Sequence, residues 1–284
     1  MLPSGWQNPI FIRGSRSPAF SAWNRHNYRF LRAVIRRLRP DVVHVHNVWF
    51  ALSPSVFGAA HDEGRPTVMT LHNFRLLCVG GTLLRDGVPC ERCVGRSPWP
   101  GVVRGCYHGS PVQSAVLARM IHHNRSRGTW VRNVDVFVAL TEFCRRKFVQ
   151  GGLPAHRIVV KPNFLPEPGP VTAGGTGAVF VGRLSVEKGL HTLVEAWREL
   201  PNVPLTVVGD GPLRGELERR SRTIRFVGQL DPADCLQSIR AGGFLVMPSV
   251  WYEAFPRTLV ESFALGRAVV ASRLGSLAEL VEDG

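Results

Sequence analysis

No stretch of this 284-residue chain reaches the roughly 18 consecutive apolar residues that a membrane-spanning helix requires. The N-terminus, Met1-Leu2-Pro3-Ser4-Gly5, carries no signal-peptide core. The expected location is the cytoplasm, with peripheral contact at the inner face of a membrane as a further option. Acidic side chains are scarce: 21 Asp and Glu stand against 35 Lys and Arg, a formal charge of +14. That imbalance asks for an anionic partner, and nucleic acid, anionic lipid headgroups or a nucleotide diphosphate would each satisfy it. No nucleic-acid-binding motif accompanies the charge, so no polynucleotide partner is expected. Runs such as Arg36-Arg37-Leu38-Arg39 and Arg145-Arg146-Lys147 are read as solvated helix faces. Six cysteines without a secretion signal argue against a disulfide framework.

What is present is alternation. Short apolar runs, Val42 to His46, Thr67 to Leu71, Asp135 to Leu140 and Ile158 to Lys161, are separated by helical patterns. Thr141 can cap the helix after the third run, with Glu142 in its first turn and Gly151-Gly152 at its end. Residues 162–177 then hold four prolines and four glycines with no apolar period, the mark of a linker. Beyond it the alternation restarts with Ala178 to Val181 and four more short strands. A helix faced by Leu190, Leu193, Val194, Trp197 and Leu200 follows the first of these. Such a pattern predicts an α/β protein of two parallel-sheet, Rossmann-like domains, residues 1–165 and 166–284. A cysteine-rich insertion at about 78–106 belongs to the first.

Chemistry concentrates where strands run into helices. Glu253 and Glu261 lie eight positions apart, the first in the turn after the apolar strand Phe244 to Met247, the second within the next helix. The carboxyl ends of parallel strands are where ligands bind in open α/β sheets. The turn Gly182-Arg183-Leu184-Ser185-Val186-Glu187-Lys188-Gly189 offers backbone N–H groups and two cations, Arg183 and Lys188, to an anion. A second turn, Val208-Gly209-Asp210-Gly211-Pro212, bends at glycine and places Pro212 at the expected first helical position.

With Arg183, Lys188, Glu253 and Glu261 in this order, the C-terminal half resembles the retaining nucleotide-sugar glycosyltransferases of family 4, and the resemblance covers nearly the whole chain. It implies the GT-B architecture, in which the two domains face each other across a cleft. By position, Arg183 and Lys188 match the pair that holds the donor diphosphate, with Gly182 and Gly209 in the adjoining turns. Glu253 matches the carboxylate at the donor sugar and Glu261 the one at the ribose. Ala254, Phe255 and Pro256 would present backbone amides to sugar and phosphate, and Arg257 and Thr258 begin the helix aimed at them. His72, in Thr70-Leu71-His72-Asn73, matches the family's inter-domain histidine near the reacting sugar and is assigned to the acceptor-side wall. His44 and His46 alternate along a strand and are expected to differ in environment, and Asn47 is a candidate cleft residue.

Cys78, Cys90, Cys93 and Cys106 fall in one glycine-rich stretch, with the two-residue gap of Cys90-Glu91-Arg92-Cys93 at its centre. Two readings stay open: a four-thiolate structural zinc site, or four unligated thiols. Cys144 and Cys235 sit in helical stretches as packing residues.

The chain also departs from the family. No opening strand and Gly-Gly loop precede the first helix, and a further strand and helices would be expected after Leu280-Val281-Glu282-Asp283-Gly284. The expected activity is transfer of a sugar from a nucleotide diphosphate sugar to a saccharide or lipid-linked acceptor, with retention. No cofactor is required for catalysis on this reading, because Arg183 and Lys188 can replace a divalent cation. The alternatives are a shortened, non-catalytic sugar-nucleotide binder and, more remotely, a zinc-dependent nucleic-acid module.

Overall fold

The computed structural model describes residues 22–48, 52–165, 171 and 174–283. Residues 1–21 and seven of the 16 residues of the proline- and glycine-rich linker therefore lie outside the described residues.

Two parallel sheets organise the chain. In the first, β1 (Val43–Val45), β2 (Thr67–Thr70), β5 (Val136–Ala139) and β6 (Ile158–Val160) lie side by side in that order. A two-stranded hairpin, β3 (Leu84–Arg85) and β4 (Val88–Pro89), stands apart within the cysteine-rich stretch. The second sheet comprises β7 (Ala178–Val181), β8 (Leu205–Val208), β9 (Arg225–Gly228), β10 (Phe244–Met247) and β11 (Ala268–Ala271), ordered β11-β10-β7-β8-β9.

Neither sheet could stand without cover, because these strands are apolar on both faces. Phe57, Phe74, Phe137, Phe148, Leu117 and Met120 fill the first core. Around the second sheet, Leu190, Leu193, Val207 and Leu217 form one cluster, and Leu245, Met247, Leu259 and Leu277 form another. The helix Arg25–Leu38 buries Leu31 and Ile35, packs against the helix Ser55–Asp62, and is capped by Asn24. Among the described residues, no helix is long and apolar enough to cross a membrane.

Two details differ from the sequence pattern. The helix after Pro212 begins at Arg214, two residues later than the proline suggests, because Gly211 and Leu213 are occupied in a turn with Leu184. Leu200 lies past the end of the helix Leu190–Arg198 and is exposed.

The domains meet through specific contacts. Thr141 caps the helix Glu142–Gln150 as expected, and the carboxylate of Glu279 from the second domain accepts the N–H groups of Glu142 at 2.8 Å and Phe143 at 2.6 Å. Those are two of the donors a helix start leaves open. The Thr141 and Ser276 hydroxyls are 2.8 Å apart, and the Cys144 thiol faces the carbonyl of Ala254.

Candidate active site

The order of the second sheet decides where its loops converge. From β7 the chain progresses outward through β8 and β9, then returns to the other side of β7 as β10. The crevice at the carboxyl ends of β7 and β10 is therefore the topological switch point. The loop 182–189 leaves β7 there and the loop 248–256 leaves β10.

The two loops are joined at backbone level. Val250 N–H donates to the carbonyl of Glu187 at 3.0 Å. Gly189 has φ of 70°, and a Cβ on it would lie 1.8 Å from the carbonyl oxygen of Pro248, so only glycine fits. Gly209, with φ of 135°, comes equally close to Gly182, where a Cβ would meet the carbonyl oxygen at 1.9 Å.

Glu253 is buried, 4% exposed. Its Oε1 accepts from Lys188 Nζ at 2.7 Å and from Ser249 Oγ at 2.7 Å. Lys188 Nζ also lies 5.5 Å from the centre of the Trp251 ring. The cation and carboxylate that the sequence reading assigned to separate parts of a donor are thus direct partners. Ser249 and Trp251, which hold them, were missed; a hydroxyl four positions before a loop carboxylate was the available signal.

Arg183 turns along its own loop, pairing with Glu187 and donating to Ser185 Oγ at 3.3 Å. Its side chain is 67% exposed. Arg257 and Thr258 open the helix Arg257–Ala264, and Glu261, one turn on, is approached by Arg257 Nη2 at 3.5 Å.

Across the cleft, His72 follows β2 and its Nε2 lies 2.8 Å from His46 Nδ1, one ring nitrogen donating and the other accepting. His44 and His46 were expected to differ in environment, and they do differ in their hydrogen-bond partners, yet they share one side. His44 lies on β1 and His46 just past its end, with the rings 4.3 Å apart, and His46 stacks on His72. His44 Nε2 lies 2.8 Å from Thr70 Oγ1. Desolvation, and then the neighbouring His46, hold His72 below its ordinary value; desolvation, then His46 and His72, do the same to His44.

A cavity of about 260 Å³ separates the two walls. His72, Asn73 and Asn163 line one side, and Trp251, Glu253 and Phe255 line the other. Asn163 Nδ2 donates to the carbonyl of Phe255 at 3.0 Å and so ties the start of the linker to this wall. Ala254 and Arg257 also border the cavity, whereas Lys188 reaches it through Glu253.

The Arg145-Arg146-Lys147 run is not the uniformly solvated face expected from sequence. Lys147 Nζ donates to Glu91 at 2.8 Å and lies between the Phe143 and Tyr252 rings, with its side chain 17% exposed. Tyr252 Oη donates to the other oxygen of Glu91 at 2.9 Å. A residue inside the cysteine-rich insertion is therefore bonded to the neighbour of Glu253.

A family model described as Glycosyltransferase Family 4 matches residues 6–166, more than half of the chain. The chain belongs to that family. Within this member of the family, residues 175–284 match a second model, Glycosyl transferases group 1. Its relatives include a Mycobacterium tuberculosis glycogen synthase, 28% identical over 88% of this chain and 56% of that protein. A phosphatidyl-myo-inositol mannosyltransferase from the same species is 35% identical over 39% of this chain and 31% of its own length. The chain spans about half the length, or less, of these curated relatives. Among solved structures, the Anabaena protein HepE in complex with UDP superposes with a TM-score of 0.60 at 21% identity, covering 90% of this chain and 66% of HepE. A glycosyltransferase from Rickettsia africae gives 0.64 at 15% identity, covering 95% and 66%. These likenesses show the fold, two Rossmann-like domains of GT-B type.

Proposed function

We propose that this glycosyltransferase moves a hexosyl group from a nucleotide diphosphate sugar to a saccharide or lipid-linked acceptor, with retention at the anomeric carbon. The reading places it in cell-surface polysaccharide or glycoconjugate synthesis, in the cytoplasm. The observation that carries it is the Ser249, Glu253 and Lys188 cluster at the switch point, facing His72 across one cavity. HepE is described in complex with UDP and with UDP-glucose, and the relatives named for glycogen and for phosphatidyl-myo-inositol illustrate both acceptor classes.

Transfer breaks the bond from the anomeric carbon to a donor phosphate oxygen and forms one to the acceptor oxygen, with release of the acceptor's proton. Negative charge grows on the leaving diphosphate. Lys188, Arg183 and the amides of the loop after Gly182 stand where such charge would be met, in the manner of a preorganised oxyanion site. Arg183 has an exposed side chain that can turn from Glu187 to a phosphate, and Glu187, 15% exposed, then keeps the Ser185 hydroxyl and its own backbone N–H as donors. Glu253 and Glu261 accept hydroxyl hydrogens from the donor sugar and ribose. His72, held neutral near pH 7, can bond sugar hydroxyls from the acceptor side. The two cations take the place of a divalent metal at the diphosphate. The basic surface, including the helix Arg25–Leu38, favours contact with anionic membrane near a lipid-linked acceptor.

A panel of nucleotide sugars tests this through donor binding, donor hydrolysis and transfer, with the product anomer read by NMR. One donor is expected to be turned over with retention. Lys188→Ala and Glu253→Gln should each lose about 100-fold or more in turnover while staying folded. Donor binding without turnover would instead establish a sugar-nucleotide binder, and failure to bind any donor would overturn both readings.

A further inference from the structure

We propose that Cys78, Cys90, Cys93 and Cys106 hold a structural zinc ion, and that this metal knot supports Glu91 against the loop carrying Tyr252 and Glu253. The argument begins with what the insertion lacks. Its regular structure amounts to a hairpin of two residues per strand and the single-turn helix Pro100–Val103. Val79, Leu83 and Val94 anchor it in the first core, but the rest has little regular structure to offset its ordering entropy, and loops of this kind are commonly held by cross-links or metals.

The fold nevertheless gathers four cysteines from separate pieces of that loop. Cys78 precedes the Gly80-Gly81 turn, where Gly81 N–H donates to its carbonyl at 3.0 Å. Cys90 ends the hairpin, its N–H bonded to Leu83 O at 2.7 Å. Cys93 follows in the next turn, and Cys106 comes back after the short helix with its N–H on Gly101 O at 2.9 Å. All four line one cavity of about 20 Å³, slightly more than one water-sized probe. All six cysteines are free thiols.

Among the described residues, no three Cys, His, Asp or Glu side chains stand at metal-bonding geometry. Zinc would draw the four sulfurs that line this cavity to about 2.3 Å from the metal. Zinc fits the donor set because thiolates are soft and four of them satisfy a closed tetrahedral site. Four thiolates around Zn²⁺ leave a net charge of −2, and Arg85, Arg92 and Arg104 line the same cavity. The link to the donor wall is short: Glu91 follows Cys90 directly in the chain, inside the two-residue gap, and accepts hydrogen bonds from both Tyr252 and Lys147.

The test uses the full chain purified in reducing buffer from zinc-supplemented culture. Elemental analysis should find about one zinc per chain, with no visible absorption. Cobalt exchange should give thiolate-to-metal charge transfer together with the visible bands of tetrahedral cobalt. The Cys90→Ser, Cys93→Ser double variant should lose the metal; if it fails to fold, the unmutated protein answers through its thiols. Four thiols should become reactive, and the melting temperature should fall, on treatment with a strong chelator. Glu91→Ala should keep the zinc while raising KM for the donor, separating the metal from its support role. A folded protein with less than about 0.1 zinc per chain and four reactive thiols that added zinc leaves unchanged would overturn the proposal. A Cys90–Cys93 disulfide, or the visible absorption of an iron–sulfur cluster, would do the same. None of these metal readouts depends on glycosyl transfer.

Discussion

Removing Lys188 should cost more stability than neutralising its partner, and removing both should cost less than the sum. In Lys188→Ala the Glu253 carboxylate, with its side chain 6% exposed, loses its cation and keeps only the Ser249 hydroxyl. Breaking one side of a buried pair costs about 3–5 kcal/mol. Lys188 is itself 22% exposed and Ser249 remains, which places the expectation at the lower end, about 3 kcal/mol. At about 2–4 °C per kcal/mol for a chain of this order, the melting temperature should drop by about 6–12 °C. Glu253→Gln keeps an acceptor for Ser249 and leaves the ammonium with the Trp251 ring and water, so about 1–2 kcal/mol is expected. The double variant removes the orphaned charge and should recover at least about 1 kcal/mol relative to additivity. The assay is reversible denaturation in a double-mutant cycle, in parallel with turnover. Additivity within about 0.5 kcal/mol would refute the reasoning, because contacting residues that share a bond must couple. Recovered stability without recovered turnover is the expected signature of a pair that the reaction also uses.

Gly189→Ala should destabilise by about 3 kcal/mol or more, or abolish soluble expression, since its Cβ would overlap the Pro248 carbonyl at a left-handed backbone; a melt near that of the parent would contradict the geometry. For His44 and His72 the folded values lie below the ordinary 6.5, so folding favours their neutral forms. Their contribution to stability is complete above about 6.5 and is lost as pH falls through the folded values, and kcat/KM should decline over the same acidic limb in a pH profile. His46→Phe should move that limb upward, because it removes the like charge that depresses His72 and His44. Glu279→Ala strips the helix Glu142–Gln150 of two accepted N–H groups across the domain boundary; a loss of about 1–2 kcal/mol and faster hydrogen exchange at Glu142 and Phe143 are expected.

The sequence made the parts of the site legible where local pattern carries them. Glu253 after an apolar strand, Glu261 on the following helix, and the Gly-Arg-Leu-Ser turn after β7 lie where the alternation placed them. Pairing was less legible because it depends on strand order. Lys188 and Glu253 are 65 residues apart and meet only because β10 returns beside β7. Glu91 and Tyr252 are 161 residues apart and belong to different domains, so no periodicity announces them. The His46 and His72 contact was closer to reach: both follow adjacent parallel strands whose register sets Val45 opposite Met69. Lys147 was misread because a basic run on a helix looks solvated until the acid and two aromatic rings around it arrive from elsewhere.

The close approach of Gly189 to Pro248, with the bond from Val250 to Glu187, bears on how the cleft can move. No side chain separates these loops, so the wall carrying Lys188 and Glu253 is joined into one unit with its sheet. Any change in the spacing of the two walls would fall on the contacts between the domains, where Glu279 accepts from the helix start and Asn163 holds Phe255. Substitutions around His72 can reshape that side of the cavity without altering the spacing between Lys188 and Glu253. The arrangement separates a fixed anvil from an adjustable face.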